Sequence, residues 1–203
     1  APAGRPPSVS SQLRLMRSES SALPLPVAEK LEAYFGCVVV QTYAMSECMP
    51  IASPDRSYDL GRPYSVGPAV GPDLMISEKG EVLIRGPMVS NDNPEEWFAT
   101  GDLGSIDADG WLTLTGRSKE IINRGGEVVG PLEVEDACLR HPAVAECVCF
   151  AVPHEALGEA LGLCIVPHSG EVAPSLDELR QFLEPYLTAT KRPQHVWYMP
   201  QLI

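Results

Sequence analysis

The sequence predicts a mixed fold of many short strands and helices that ends in a compact α+β domain. Prolines and glycines number 20 and 17 among 203 residues, and so many chain breakers argue against a bundle of long helices. After residue 116, strand and helix patterns follow one another in the order β–α–β–β–α–β, which indicates a small α+β domain. A hydrophobic fraction of 44% is typical of a chain that buries a core.

One helix is predicted near the start of the chain. Apolar residues recur at i, i+4, i+7 and i+8 within Pro24–Phe35, at Val27, Leu31, Tyr34 and Phe35. This spacing puts the four side chains on one apolar helix face, and Gly36 supplies the end of the helix. We expect short strands at Leu13–Met16 and Val38–Val40, and a disordered or extended lead over residues 1–12.

The middle of the chain is predicted to contain loops and short strands. Residues 50–80 are rich in Pro and Gly, and a strand is expected at Glu81–Arg85. Asp107–Gly110 has the composition of a hairpin turn, with Trp111–Thr115 as the return strand.

A domain boundary is predicted at residues 116–120, and local signals define the elements beyond it. Asn123–Gly126 has the composition of a turn, Pro131 favours a helix start, and Ser175 with Glu178 forms a capping box. The expected elements are a helix at Pro131–His141, strands at Val144–Val152 and Leu161–Val166, a helix from Ser175 to about Leu187, and a strand at Val196–Met199.

Charge and hydropathy exclude two classes of partner. The net charge is −12, so we expect no nucleic-acid binding by a broad basic face, whereas a nucleotide site needs only a few local donors. No apolar run approaches the roughly 18 residues of a membrane-spanning helix. The first residues lack both an apolar signal-peptide core and an initiator methionine. We therefore expect a processed chain or a piece of a longer protein.

The cysteines predict buried, reduced thiols. There are six of them and no CxxC motif, and neither a disulfide framework nor a zinc site suits their spacing. Cys147 and Cys149 lie two residues apart in an apolar run, which puts both on one face of a strand. We expect an intracellular reducing compartment, either the cytoplasm or an organelle.

Two short polar clusters interrupt apolar segments, and each has two interpretations. In Tyr43–Glu47, the Ser46 hydroxyl could bind a phosphate oxygen while the Glu47 carboxylate holds Mg²⁺. The same residues also suit an ordinary strand end. Asp102 accepts two hydrogen bonds and therefore suits a ribose diol, or it caps a loop.

A longer cluster over Gly116–Glu135 combines basic residues, paired glycines and a helix that begins at Pro131. Gly125 and Gly126 permit a close backbone approach or a positive φ. Taken alone, the cluster is equally consistent with a linker that contains a tight turn. The sequence contains no Walker phosphate loop, GxGxxG, HExxH or GxSxG motif.

In this order, the three clusters resemble the C-terminal portion of an AMP-forming acyl-CoA synthetase, in the adenylate-forming ligase superfamily. Gly116–Glu135 matches the family's hinge segment, which runs Gly-Arg-x-Lys-Asp/Glu, then Gly-Gly, then Pro-x-Glu-Val-Glu. Tyr43–Glu47 is similar to the family's Tyr-Gly-x-Thr-Glu motif, and Phe98–Leu103 to its Thr-Gly-Asp segment. Within the hinge segment, Lys119–Gly126 is most similar to the oxalate–CoA ligases.

The resemblance implies a fold class of α/β and α+β. Residues 13–116 would form the last β-rich subdomain of the large adenylation domain. Residues 117–120 would be a hinge, and residues 121–203 the small C-terminal α+β domain, which stops before the family's terminal lysine motif.

The resemblance also implies how a nucleotide is bound. Tyr43 would lie against adenine. Ser46, in place of the family's threonine, would bind the α-phosphate, and Glu47 would ligate Mg²⁺. Asp102 would hold the ribose hydroxyls with help from Arg117.

The remaining implied roles concern the chemistry and the thiol. Lys119 would sit at the hinge about which the small domain rotates and, with Glu47, would be catalytic. Gly125 and Gly126 would line the approach of the thiol. The implied reaction converts ATP and a carboxylic acid into acyl-AMP and pyrophosphate, after which coenzyme A displaces AMP.

Three departures from the family leave more than one function open. The chain contains neither the family's upstream phosphate loop nor its final lysine, and the loop Val89–Glu96 is shorter than the family's. We therefore expect a partial synthetase that needs the remainder of the ligase and does not catalyse alone. The alternative is a degenerate, non-catalytic accessory or scaffold subunit of a larger assembly, and a nucleotide-binding regulatory module is a third hypothesis.

Overall fold

The computed structural model describes residues 13–55, 61–62 and 64–202, and its chain forms two compact units. The first unit comprises the chain up to Thr100 together with Gly104–Leu114, and the second comprises Gly101–Leu103 together with the chain from Thr115. The expected lead at residues 1–12 lies outside the described residues. The assignment of residues 117–120 as a hinge stays a prediction.

The first part of the chain is built mainly from short antiparallel strands. Its elements are β1 (Leu15–Ser18), α1 (Leu25–Phe35), β2 (Val38–Gln41), β3 (Tyr43–Met45), β4 (Cys48–Ala52), β5 (Ser65–Pro68), β6 (Asp73–Ile76), β7 (Glu81–Arg85), β8 (Phe98–Ile106) and β9 (Trp111–Arg117). Strands β1 and β2 pair in parallel, and β3 and β4 form a hairpin. A five-stranded sheet has the order β5-β9-β8-β7-β6. The strand at Glu81–Arg85 and the hairpin turn before Trp111 are confirmed.

Helix α1 is confirmed, but only Leu31 and Phe35 of its predicted apolar face are half-buried. Gly36 ends the helix in the left-handed conformation, with φ of 66°. Val27 and Tyr34 are exposed, whereas Pro26 and Ala28 are buried. Short side chains allow a helix to approach a strand closely, and this tertiary packing overrides the apolar spacing. The strand before this helix, β1, begins two residues later than predicted, at Leu15.

The core of the first unit holds the β3–β4 hairpin in place. Its buried side chains are Tyr43, Cys48, Ile51, Ala52, Val66, Val82, Ile84, Val89 and Leu112. Gly67 is required where β5 passes the end of β4, since its φ is +85°. A Cβ at this position would lie 2.2 Å from the backbone nitrogen of Pro54, so no other residue fits without moving the chain.

The second unit is an α+β sandwich of one sheet and two helices. Its further elements are β10 (Ile122–Arg124), β11 (Glu127–Val129), α2 (Pro131–Leu139), β12 (Val144–His154), β13 (Gly158–Pro167), α3 (Leu176–Phe182), a 3-10 turn (Ala189–Lys191) and β14 (His195–Tyr198). The sheet order is β11-β10-β13-β12, and β14 pairs in parallel with β13. Apolar side chains of both helices and of β12 and β13 form its core.

The local signals in this unit are largely confirmed. Ser175 and Glu178 form the predicted capping box, with Glu178 accepting from the Ser175 amide at 2.8 Å. Both helices end earlier than predicted because a proline follows each one. Pro142 disfavours helical backbone at His141, and the ring of Pro185 cannot continue α3. The turn expected at Asn123–Gly126 is present in shortened form, at Gly125 and Gly126, whereas the strands β10 and β11 that flank it were not predicted.

The β12 edge of this sheet is covered by a carboxylate. Glu135 accepts a hydrogen bond from the Cys149 amide at 2.8 Å, which satisfies a donor on the outer edge of the strand. Cys147 and Cys149 share the buried face, as predicted, while Val148 between them is exposed. All six cysteines are buried and free. Burial raises the pKa of Cys149 to about 12, so this thiol stays protonated.

We predict that Glu135 makes the stability of the second unit pH-dependent. Burial raises the pKa of its carboxyl, and the Cys149 amide partly offsets that shift. The folded state therefore binds this proton more tightly than the unfolded chain. The resulting stabilisation is complete below the unfolded pKa of about 4.3 and is lost as the pH rises through the higher folded pKa. Urea unfolding of wild type and Glu135→Gln between pH 4 and pH 7 measures this pH dependence of the free energy of unfolding.

The amide of Glu135→Gln still accepts from Cys149, so wild type should gain stability relative to this variant as the pH falls. Glu135→Ala leaves the Cys149 donor without its acceptor, which costs about 1–3 kcal/mol at every pH. Glu146→Gln, on the exposed side of β12, is the control. A pH-independent difference between wild type and Glu135→Gln would contradict the prediction.

Candidate active site

Ser46 and Glu47 form the turn of the β3–β4 hairpin. The strands close on the pair Met45–Cys48, which leaves the Ser46 side chain exposed and that of Glu47 half-buried. The backbone oxygen of Glu47 accepts from the Ser90 amide at 2.6 Å. The turn is therefore held against the short loop that follows β7, and it presents a hydroxyl and a carboxylate side by side.

Tyr43 lies at the base of the same hairpin, opposite Ala52. Only 7% of the residue is exposed, and its ring belongs to the core of the first unit. Any contact with a ligand must use the small accessible part of the ring. The predicted contact with adenine stays a prediction.

A polar clamp that the sequence did not reveal closes the base of the hairpin. Arg17 donates from Nη1 to the Thr42 hydroxyl at 2.9 Å and to the Ser53 hydroxyl at 3.1 Å. The two buried hydroxyls lie 3.0 Å apart and flank the terminal Tyr43–Ala52 pair. No local pattern signals this clamp, because Arg17 is separated from its partners by 25 and 36 residues.

Asp102 and Arg117 form an ion pair in the second unit. Arg117 Nε lies 3.2 Å from Asp102 Oδ1. The Asp102 side chain is 15% exposed and that of Arg117 is 66% exposed, so the arginine of this pair lies largely in solvent. The Ser118 amide donates to the Gly101 carbonyl at 2.9 Å, and the exposed Lys119 follows in the next turn.

Gly125 and Gly126 form the two-residue turn of the β10–β11 hairpin, with φ of 61° and 92°. The Gly126 amide donates to the Asn123 side chain at 3.0 Å, and the Gly125 amide donates to the Leu157 carbonyl at 2.8 Å. A Cβ added at Gly126 would meet nothing within 4 Å, so one side of the turn is open. The Asn123 contact has a sequence signal, since asparagine often bonds backbone amides in turns. The Leu157 contact has none.

The structure places the predicted residues in three groups. Tyr43, Ser46 and Glu47 share one hairpin of the first unit. In the second unit, Asp102 and Arg117 are paired with Lys119 nearby in sequence, and the two glycines form a separate turn. Over the described part of the chain, no three His, Cys, Asp or Glu side chains form a metal-binding group, and no helix is long and apolar enough to span a membrane.

Two family models match the chain, and they do so in succession. Residues 2–91 match the model described as AMP-binding enzyme, and residues 133–202 match the AMP-binding enzyme C-terminal domain. The chain belongs to the adenylate-forming family of AMP-binding enzymes. The resemblance carried by the three clusters is thereby confirmed.

Two relatives of this family member are oxalate–CoA ligases. The protein from Arabidopsis thaliana is 37% identical over 98% of this chain and 43% of its own length. The protein from Saccharomyces cerevisiae is 36% identical over 94% of this chain and 39% of its own length. The chain thus spans less than half of the relatives that it matches.

A solved structure confirms the fold class. The o-succinylbenzoate coenzyme A synthetase of Bacillus subtilis, in complex with ATP and magnesium ion, is 26% identical and superposes with a TM-score of 0.80. The match covers 94% of this chain and 43% of the synthetase. The chain therefore has the mixed α/β and α+β fold of adenylate-forming enzymes.

The exposure of Arg117 predicts that its ion pair contributes little to stability. Arg117→Ala should lower the free energy of unfolding by less than about 1 kcal/mol, because exposed pairs are screened by water. Arg140→Ala is the matched comparison. Its partner, Asp136, is only 5% exposed, and breaking such a buried pair costs about 3 kcal/mol.

Urea denaturation of the 203-residue chain measures both values. Equal losses in the two variants would contradict the assignment of Arg117 as a residue that is available to a ligand.

Proposed function

We propose that this chain is the C-terminal portion of an acid–CoA ligase that adenylates a small carboxylic acid and transfers the acyl group to coenzyme A. The observation that carries the proposal is the Ser46–Glu47 turn of a family member. It combines an exposed hydroxyl with an accessible carboxylate on a turn fixed by the Ser90 hydrogen bond. These are the groups that a phosphate and a hard cation require.

The residues of the turn fit a magnesium site of the kind that nucleotides complete. Mg²⁺ is commonly held by one or two carboxylates together with phosphate oxygens and water. Glu47 supplies one carboxylate, and the described residues offer no cage of three or more ligands. When bound there, Mg²⁺ would stabilise negative charge that develops on the phosphate.

In the adenylation step, the acid's carboxylate oxygen attacks the α-phosphorus of ATP, and the bond to pyrophosphate breaks. Ser46 donates its hydroxyl proton in a hydrogen bond to an α-phosphate oxygen. Asp102 accepts from the ribose hydroxyls, and Arg117, displaced from that carboxylate, places a positive charge nearby. Stabilisation of the charged transition state by fixed groups of this kind is the main catalytic effect expected here.

In the second step, the sulfur of coenzyme A attacks the acyl carbonyl carbon, and AMP leaves with the electrons of the broken C–O bond. The open side of the Gly125–Gly126 turn gives the thiol room, because no side chain projects there. Lys119 lies in the exposed turn after Arg117 and acts at the predicted hinge. We place both steps in an intracellular reducing compartment, where the thiol persists.

We propose oxalate, or another small dicarboxylic acid, as the substrate. The support is the similarity of the chain to two oxalate–CoA ligases, together with the resemblance of Lys119–Gly126 to that group.

A second candidate is a non-catalytic accessory subunit. The observation that favours it is the loop Val89–Glu96, which is shorter than the family's and lies beside the turn that would bind phosphate. Such a subunit would bind no AMP and would co-purify with a stoichiometric partner.

Acid-dependent ATP–pyrophosphate exchange by the complete gene product tests the proposal. We expect exchange with oxalate and a loss of at least about tenfold in Asp102→Ala, since one missing charge-assisted hydrogen bond is worth about 1.5–3 kcal/mol. Asp73→Ala, which also removes an aspartate paired with an arginine, is the control and should retain activity.

The two possible negative outcomes would each point to a different function. AMP binding without exchange, over a broad panel of acids, would favour a regulatory nucleotide-binding module. Neither binding nor exchange, with a stoichiometric partner in the purified material, would establish the accessory subunit.

A further inference from the structure

We propose that the segment His154–Gly158, hereafter the support turn, positions the Gly125–Gly126 turn for the attack of the thiol. His154 and Leu157 are then positioning residues for the second half-reaction, which no sequence motif assigns to them. The inference rests on the proposed function in its catalytic part, whereas the contacts themselves are independent of it.

The support turn touches Gly125 in two ways. The Leu157 carbonyl accepts the Gly125 amide at 2.8 Å. The Leu157 side chain also covers the glycine, since a Cβ built on Gly125 would lie 3.0 Å from Leu157 Cδ2. One face of the glycine turn is thus closed by the support turn, while Gly126 stays open.

His154 shapes the support turn from within. Its Nδ1 accepts from the Ala156 amide at 3.2 Å and from the Leu157 amide at 3.3 Å. These bonds orient the peptide groups that precede the Leu157 carbonyl. His154 therefore contacts Leu157, and Leu157 in turn contacts Gly125.

A second set of bonds prevents the two turns from sliding past each other. The Asn123 amide donates to Glu159 Oε2 at 2.6 Å, and Arg124 pairs with Gly158 across the strands. The Gly126 amide is taken by the Asn123 side chain at 3.0 Å. The amides of Asn123, Gly125 and Gly126 are therefore all engaged.

This support matters because paired glycines do not hold their own conformation. Glycine has the largest backbone freedom of any residue, and a reacting group misplaced by about 1 Å can cost about 100-fold in rate. Within the hairpin, the Asn123 side chain engages Gly126, and the support turn supplies the contact from outside at Gly125.

Hydrogen exchange on the 203-residue chain tests the contact without any activity assay. We expect the Gly125 amide to exchange at least about tenfold faster in His154→Ala and Leu157→Ala than in wild type. His154→Asn should retain protection, because its side-chain oxygen can accept the same amides as in an Asx turn. His168→Ala and Leu132→Ala are the matched controls. Unchanged exchange at Gly125 would overturn the proposal.

The two half-reactions of the complete gene product test the catalytic part. In His154→Ala and Leu157→Ala, thioester formation from preformed acyl-AMP and coenzyme A should slow at least about tenfold, with ATP–pyrophosphate exchange within twofold of wild type. His154→Asn should restore the thioester rate.

Equal loss of both half-reactions would show a general structural role and would overturn the proposal. An unchanged thioester rate would overturn it as well. A wild-type protein with neither half-reaction would refute the proposed function, and the role in the thiol step would fall with it. In that case, faster hydrogen exchange at Gly125 in the variants would still show that the support turn holds the glycine turn, separately from the failed proposal about the reaction.

Discussion

Each group of candidate site residues is joined to a distant segment of the chain by a backbone hydrogen bond. The Ser90 amide holds Glu47, the Ser118 amide holds Gly101, and the Leu157 carbonyl holds Gly125. The accepting carbonyls belong to the half-buried residues Glu47, Gly101 and Leu157, and a buried backbone group left unpaired costs about as much as a lost hydrogen bond. The same bonds that satisfy the backbone therefore orient the side chains that a ligand would meet.

Because the chain is acidic overall, the partner of each cationic side chain decides whether that side chain is available to a nucleotide. With a net charge of −12, an anionic nucleotide would be repelled unless donors were concentrated where its phosphates lie. Arg140, Lys191 and Arg192 pair with carboxylates and serve the packing of the second unit. Arg117 also has a carboxylate partner, but its high exposure lets it exchange that partner for a ligand at low cost.

Local signals predicted much of the fold. The capping box at Ser175, the glycine stop of α1 and the strand at Glu81–Arg85 each depend on interactions within a few residues, and each is found where predicted. The residues of the candidate site were proposed from the order of the motifs, which is a property of the chain alone. Their proposed roles await the experiments described above.

The sequence by itself determined the family, several of the elements and the residues to examine, because capping, chain breaking and motif spacing are encoded locally. Only the tertiary structure decided which face of α1 is buried, that β10 and β11 form a hairpin, and that Arg17 clamps the base of the β3–β4 hairpin. It also decided that Leu157 lies against Gly125. These contacts join residues far apart in the chain, where side-chain size and donor geometry select the partner and no periodicity records the choice.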